Sequence, residues 1–277
     1  MSRGKAPTED GAARFPIRSA GLSDVGRRRK SNEDSFAISE DGALFVVADG
    51  MGGHAAGEVA SRLAVESIER HISGTDPRKE PTIPASFRSP GVDEAGLPVP
   101  ARRVLNAIRL ANQEIVRSVR KDSSMRGMGT TVVIAYVPGS RAYIGSVGDS
   151  RAYVVRDRSL RQLTSDHTLV NDQVRAGALT SQEARHHPAR NILTRAVGSQ
   201  EEVEADLVEL DLRPGDILLL CSDGLTTMAE DADILKTVLA HSDDPEAASR
   251  ALVDLANERG GEDNVTVVLG RVGPPAH

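Results

Sequence analysis

The chain has a single cysteine, Cys221, and no tryptophan in 277 residues, and aromatic residues make up only 3%. One cysteine excludes an intrachain disulfide and is consistent with a reducing compartment. With so few aromatics, Val, Leu, Ile and Ala must supply the packing, and the length allows one large core or two small ones. Long hydrophobic runs are also missing: no apolar segment approaches the ~20 residues that a membrane-spanning helix needs. Met1 to Arg14 is polar and rich in small residues, without the apolar stretch of a signal peptide. A basic excess is absent as well. The formal charge is -6, and no basic stripe interleaves with aromatics, which argues against a nucleic-acid binder. Arg27-Arg28-Arg29-Lys30 is basic but short, and taken alone it reads as a solvated turn. The expectation is a cytoplasmic protein whose residues 1–14 form a disordered tail.

What recurs instead is aspartate at the edges of strand-like runs. Asp49 ends Ala43 to Ala48, Asp149 ends Ala142 to Gly148, Asp223 ends Ile217 to Ser222, and Asp263 precedes Val265 to Leu269. An ionised carboxylate beside a buried strand is costly unless something pairs it. One such residue is explained as a cap or turn former; several, with Glu33 and Asp34 in addition, suggest carboxylates gathered around a hard cation. Oxygen-only ligands fit magnesium or manganese better than zinc or copper. Two such ions held close together hydrolyse phosphate esters. A thiol route to that chemistry is set aside. Cysteine-dependent phosphatases resemble one another in placing an arginine six positions after the nucleophile, where this chain has Thr227, and Cys221 lies in an apolar run as a small core residue.

Periodicity places strands and helices in blocks. Phe15 to Leu22, Ser35 to Ser39 and Ala43 to Ala48 read as strands. Ala55 to Ser73 reads as a helix with a Val59, Leu63, Ile68, Ile72 stripe. Thr75 to Pro100 is rich in Pro, Gly, Ser and charge and reads as a long loop or disordered insertion. A second helix is expected from about Arg102 to Arg120, followed by strands at Thr130 to Val137, Arg141 to Val147, Arg151 to Arg156 and Leu160 to Leu163. Thr168 to Gly177 and Ser181 to Arg185 read as short helices. Strands return at Val203 to Asp211 and Asp216 to Cys221, and helices at Asp231 to Ala240 and Pro245 to Glu258 precede a last strand, Asn264 to Val272. The pattern predicts an α+β domain: a central β-sandwich of two mainly antiparallel sheets flanked by helices.

Each motif also has a plain structural reading. The cluster Arg27 to Phe36 sets guanidinium and carboxylate groups before a strand; Arg is the better phosphate clamp because its planar fork gives two parallel hydrogen bonds, but an exposed turn explains the same residues. In Asp49-Gly50-Met51-Gly52-Gly53-His54 a strand ends in an acid and a Gly-rich turn enters a helix. Gly50 there lets its carbonyl approach a cation held by Asp49. The turn lacks the Lys-Ser/Thr ending of a P-loop. For Asp149 the preferred reading is structural, a turn anchored through its own backbone. Cys221-Ser222-Asp223-Gly224 repeats the strand-Asp-Gly pattern, and Asp263-Asn264 mirrors it at a strand entrance.

Arg29 to Asp34, Asp49 to His54, Gly127-Met128-Gly129-Thr130-Thr131, Gly148-Asp149-Ser150-Arg151, Ser222-Asp223-Gly224 and Asp263-Asn264 occur in the order found in the metal-dependent protein phosphatases. The chain resembles their protein phosphatase 2C-like serine/threonine type, in its bacterial spelling. Thr164 to Thr168 and Asn191 to Gly198 carry the likeness further, so it covers roughly Ile17 to Arg271. The resemblance implies a single phosphatase domain over 15–272, with the insertion at about 75–100, a flap at about 166–190 and a tail at 273–277. It implies that Asp49 bridges two Mg or Mn ions, that Asp223 and Asp263 complete one site and the Gly50 carbonyl the other, and that Glu33 and Asp34 act through metal-bound waters. Arg29 would hold the substrate phosphate. A hydroxide bridging the metals would attack phosphorus in line, with no phosphoenzyme. Asp122 sits near the place where bacterial members supply a ligand to a third ion, though a helix-end Asp explains it equally. His54 receives no role, because the position of the acid proposed in animal enzymes is Met51 here. The implied partners are phosphoserine and phosphothreonine proteins and a cognate bacterial kinase. Two alternatives are a dedicated phosphatase of a partner-switching regulatory protein, which the longer insertion would suit, and a catalytically silent phosphoprotein-binding scaffold.

Overall fold

The computed structural model describes residues 15–52, 55–73 and 96–274. The expected tail at 1–14, His54 and most of the expected insertion lie outside that set. Two antiparallel sheets stack face to face. One has the order β1 (Ile17–Asp24), β11 (Val265–Val272), β10 (Ile217–Cys221), β7 (Arg151–Arg156), β8 (Ser159–Gln162). The other runs β2 (Asp34–Ile38), β3 (Leu44–Met51), β5 (Val132–Tyr136), β6 (Arg141–Val147), β9 (Asp206–Asp211), with the two-residue β4 (Gly129–Thr130) pairing the end of β3. Helices α1 (Ala55–Ser73) and α2 (Val99–Lys121) cover the second sheet. Helices α5 (Asp223–Met228), α6 (Asp231–Ala240) and α7 (Pro245–Glu258) cover the first, and the short α3 (Leu169–Arg175) and α4 (Ser181–Arg185) lie in the excursion after β8.

The unbroken apolar runs of the central strands follow from this layering. Phe45 and Val47 point into the sandwich with Val133, Leu218, Leu220 and Val268, whereas Val46 and Ala48 point to the helices with Ile68, Ile108 and Ile115. On the far side Leu219, Val267 and Leu269 meet Ile234 and Leu252. A strand buried on both faces needs no polar alternation. The expected α1 stripe is found: Ile68 and Ile72 are buried, and Val59 and Leu63 pack at the margin of the same cluster. Among the described residues no helix is long and apolar enough to cross a membrane.

Several boundaries differ from expectation: β1 is Ile17–Asp24 rather than Phe15 to Leu22, β3 runs on to Met51, and β9 starts at Asp206 rather than Val203. Three further departures stand out. Helix α2 starts at Val99, so the upper end of the expected insertion is helical; Pro100 is tolerated in the first turn, where its missing N–H has no helical partner to lose. The strand expected from Thr130 to Val137 is broken at Thr131 into β4 and β5. A short helix, α5, begins at Asp223 directly after β10. The last two departures lie at the cleft described next.

Candidate metal-dependent active site

The strand ends that carry the acids converge on one edge of the sandwich. Asp34, first in β2, pairs in register with Asp49 near the end of β3. Thr131, at the break between β4 and β5, accepts a hydrogen bond on its hydroxyl from Asp49 N–H at 3.0 Å and exchanges another with the Ser150 hydroxyl at 2.6 Å. The Asp49 carbonyl accepts from Thr131 N–H at 2.8 Å and from the Thr130 hydroxyl at 2.9 Å. Asp49 is therefore fixed by backbone and by two buried hydroxyl residues. A cleft of about 540 Å³ opens over it, lined by Arg29, Glu33, Gly50, Asp149, Arg195, Asp223 and Asp263 among others.

Close backbone approach explains the glycines here. A Cβ on Gly57, in the first turn of α1, would sit 1.9 Å from the Glu33 carboxylate, and one on Gly50 would sit 2.1 Å from the Gly57 carbonyl. Bare backbone lets Glu33 reach over the start of α1 beside Asp49.

The electrostatics are those of acids crowded in a poorly solvated space. Burial raises the carboxyl of Asp34 to about 7, against the pull of hydroxyls from Thr266 and Ser222. Burial and then the charge of Asp223 push Asp149 to about 8. Burial and then Asp263 push Asp223 to about 6, and Asp49 is raised well above the carboxylate range by burial and then by Asp34 and Asp223. Each shift says that the ionised set calls for a compensating positive charge. Arg29 offers part of it: its Nη2 lies 2.6 Å from Asp263 Oδ2. On another part of the cleft lining Arg195 is held by Asp206 at 3.0 Å and Glu204 at 3.1 Å.

The donor set suits a hard divalent cation. Asp34 Oδ1 and Asp223 Oδ1 each have under 1 Å² of surface and no hydrogen-bond partner. A buried orphan carboxylate oxygen costs several kcal/mol unless a cation takes it, roughly 1–3 even for a neutral group. All the available ligands are oxygens, as magnesium and manganese prefer. Among the described residues no three carboxyl, imidazole or thiol groups form a ready-made ligand cage; the acids share the cleft from the edges of separate elements.

Most of the expected site residues meet here, with three differences. Asp149, read as a turn anchor, also lines the cleft and couples electrically to Asp223. Asp34 lies beneath the cleft rather than on its wall. Its Oδ2 accepts from the hydroxyls of Ser222 at 2.8 Å and Thr266 at 2.7 Å, while its Oδ1 has no protein partner. Asp122 is exposed and caps the 3-10 turn Ser123–Met125 by accepting from Ser124 N–H at 2.9 Å; it does not line the cleft. Sequence reasoning missed Thr131, Ser150, Ser222, Thr266 and Arg195 as site-building residues, although all lie inside the quoted motifs and runs. Cys221 is buried and its thiol is pushed up to about 12 by burial, which agrees with a core role.

The excursion expected to act as a flap is tied down at its base. Arg151 holds Asp166 through paired bonds, Nε to Oδ1 at 2.9 Å and Nη2 to Oδ2 at 2.7 Å. A second pocket of about 760 Å³ runs from the cleft between α3, α4 and α5, sharing Asp149, Asn191 and Asp223 with it.

The family model described as protein phosphatase 2C matches residues 26–257. The serine/threonine phosphatase stp of Listeria monocytogenes is 38% identical over 249 residues, covering 89% of this chain and 92% of its own. The crystal structure of the Mycobacterium tuberculosis serine/threonine phosphatase PstP/Ppp superposes with a TM-score of 0.80 at 36% identity, covering 93% of this chain and 99% of that one. A structure of the PstP catalytic domain in complex with two manganese ions gives 0.77 at 35% identity, with the same coverage.

Proposed function

The chain belongs to the protein phosphatase 2C family and is a metal-dependent serine/threonine protein phosphatase, and from that premise we propose the part each cleft residue plays. Asp49, the Gly50 carbonyl, Asp223 and Asp263 hold two magnesium or manganese ions. Glu33 reaches the ions through water, and Asp34 supports Asp49 from below. The observation that carries this reading is the sealed, partnerless Oδ1 of Asp223, one of those ligands, within an all-oxygen acid cluster that lines the cleft. When bound, the cations supply Lewis acidity and bring the pKa of water towards neutrality.

The protein's own contribution is binding and orientation. Arg29 presents a planar fork to the phosphate oxygens and offsets charge that grows on them as the ester bond breaks. Its bond to Asp263 is half-exposed, and such pairs are worth about 0–1 kcal/mol, so the fork is easily turned to a substrate. Thr131 and Ser150 keep Asp49 in register. No side chain need act as nucleophile: the one thiol is buried away from the cleft, and the Thr131 hydroxyl is committed to Asp49 and Ser150. Phosphorylated proteins are the substrates, and we assign the enzyme to the cytoplasm, opposing a bacterial serine/threonine kinase. Asp122 is given no metal role.

Arg29→Ala tests the phosphate assignment. KM for a phosphothreonine peptide is expected to rise roughly tenfold to a hundredfold, the worth of a charged hydrogen-bonded contact, while the metal concentration giving half activation moves little. An unchanged KM would shift phosphate recognition to another residue, with Arg195 the first to examine.

A further inference from the structure

Asn264 follows Asp263, is buried with 4% of its surface exposed, and spends its side-chain amide on one loop. Its Oδ1 accepts from Glu33 N–H at 2.8 Å, and its Nδ2 donates to the carbonyls of Val25 at 3.0 Å and Ser31 at 2.9 Å. The partners fix the orientation of the amide, because a backbone N–H needs the oxygen and two carbonyls need the nitrogen. Those three contacts bracket Arg29. On its N-terminal side the N–H groups of Arg27 and Arg28 also donate to the Gly261 carbonyl, at 2.7 and 3.2 Å. The loop from 25 to 33 is thus fastened to the turn from 261 to 264, more than two hundred residues away in sequence. Within that turn, Asn264 is the side chain whose bonds reach backbone on both flanks of Arg29. Few residues can replace it: aspartate has the acceptor but no donors, serine has one donor, and alanine has neither.

We infer that Asn264 is a positioning residue for phosphate recognition: it holds the 25–33 loop so that Arg29 presents its guanidinium fork to the substrate. The inference rests on the reading that Arg29 binds the phosphate. A buried, fully bonded asparagine also serves as a folding strut, and the two roles differ in what they predict. A strut changes stability and acts independently of Arg29. A positioning residue acts through Arg29, so its effect on KM disappears when Arg29 is gone.

The experiment is a double-mutant cycle on the metal-loaded enzyme with a phosphothreonine peptide, measuring KM and kcat for wild type, Asn264→Ala, Arg29→Ala and the double variant, with thermal unfolding of each. Asn264→Ala is expected to raise KM roughly tenfold with kcat within about threefold; in the Arg29→Ala background the same change should move KM by less than about twofold. Equal KM factors in the two backgrounds would overturn the inference and leave the Arg29 reading standing. An unchanged KM in Arg29→Ala alone would overturn that reading and the inference with it. If Asn264→Ala is unfolded at the assay temperature, Asn264→Ser, which retains one hydroxyl, takes its place under the same criterion.

Discussion

Asp49→Asn is expected to remove nearly all turnover, a loss on the order of 10³-fold in kcat/KM, from a protein that remains folded. Lewis-acid stabilisation is worth several kcal/mol, and each 1.36 kcal/mol is a factor of ten. The substitution keeps the shape of the side chain and takes one negative charge out of the cluster. Asp49 is raised well above its ordinary range by burial and by the charges of Asp34 and Asp223, so without metal it must take up a proton or bear that repulsion, and an amide does neither. The metal-free variant should therefore unfold no earlier than metal-free wild type near neutral pH, while its thermal stabilisation by manganese shrinks. Asp223→Asn should behave in the same way, since Asp223 is raised by burial and by Asp263. Near-wild-type turnover in either variant would sink the two-ion assignment. A variant that fails to fold would instead show that the carboxylate is structural.

The second large effect is on stability. With chelator present, the melting temperature is expected to fall as pH rises from about 5 to about 8. The sign follows from the direction of the shifts. The carboxyls of Asp34 and Asp223 sit at about 7 and about 6 in the folded protein against 3.8 in the unfolded chain, and Asp149 at about 8. Between those values the folded state keeps protons that the unfolded state has released. The stability they contribute is full below the unfolded pKa and is lost as pH rises through the folded values. A divalent cation takes the place of the proton on its ligand Asp223 and favours the ionised forms of the neighbouring Asp34 and Asp149, so its stabilisation should be small at about pH 5 and large at about pH 8. At a metal concentration ~100 times the dissociation constant the gain is about 2.7 kcal/mol, or roughly 5–10 °C for a domain of this size. Calorimetry with EDTA and with manganese at both pH values checks this. A metal shift equal at the two pH values would mean that the metal does not bind at these buried acids.

The layered fold was legible because its strands are buried on both faces and its helices on one, and both patterns survive in the apolar periodicity of β3, β10, α1 and α2. The acids were legible for a related reason: Asp49 and Asp263 stand at strand ends, where a charge is conspicuous. What escaped were features that depend on contacts distant in sequence. Neighbouring Glu33 and Asp34 look equivalent in one dimension, but successive residues at a strand entrance face opposite ways. Glu33 reaches over α1 to the cleft, and Asp34 turns down to Ser222 and Thr266. Helix α5 was hidden because a Gly at its second position lowers helix propensity. That glycine is required by packing, since a Cβ on Gly224 would lie 1.9 Å from the Asn264 carbonyl oxygen. The break at Thr131 was hidden because a β-branched residue in a run of Thr, Val and Ile reads as strand, whereas here its hydroxyl serves Asp49. Asp122 carried two readings in sequence, a third-ion ligand and a helix-end residue. Its carboxylate caps a turn at the exposed end of α2, the second of these.

The central claim is that the acid cluster at the sandwich edge works through divalent metal on phosphorylated protein. It is tested most directly by hydrolysis of a phosphothreonine peptide with EDTA, magnesium and manganese compared side by side. The account predicts no turnover with EDTA and restoration by either metal. Undiminished turnover in EDTA, or none with any metal in folded protein, would contradict it.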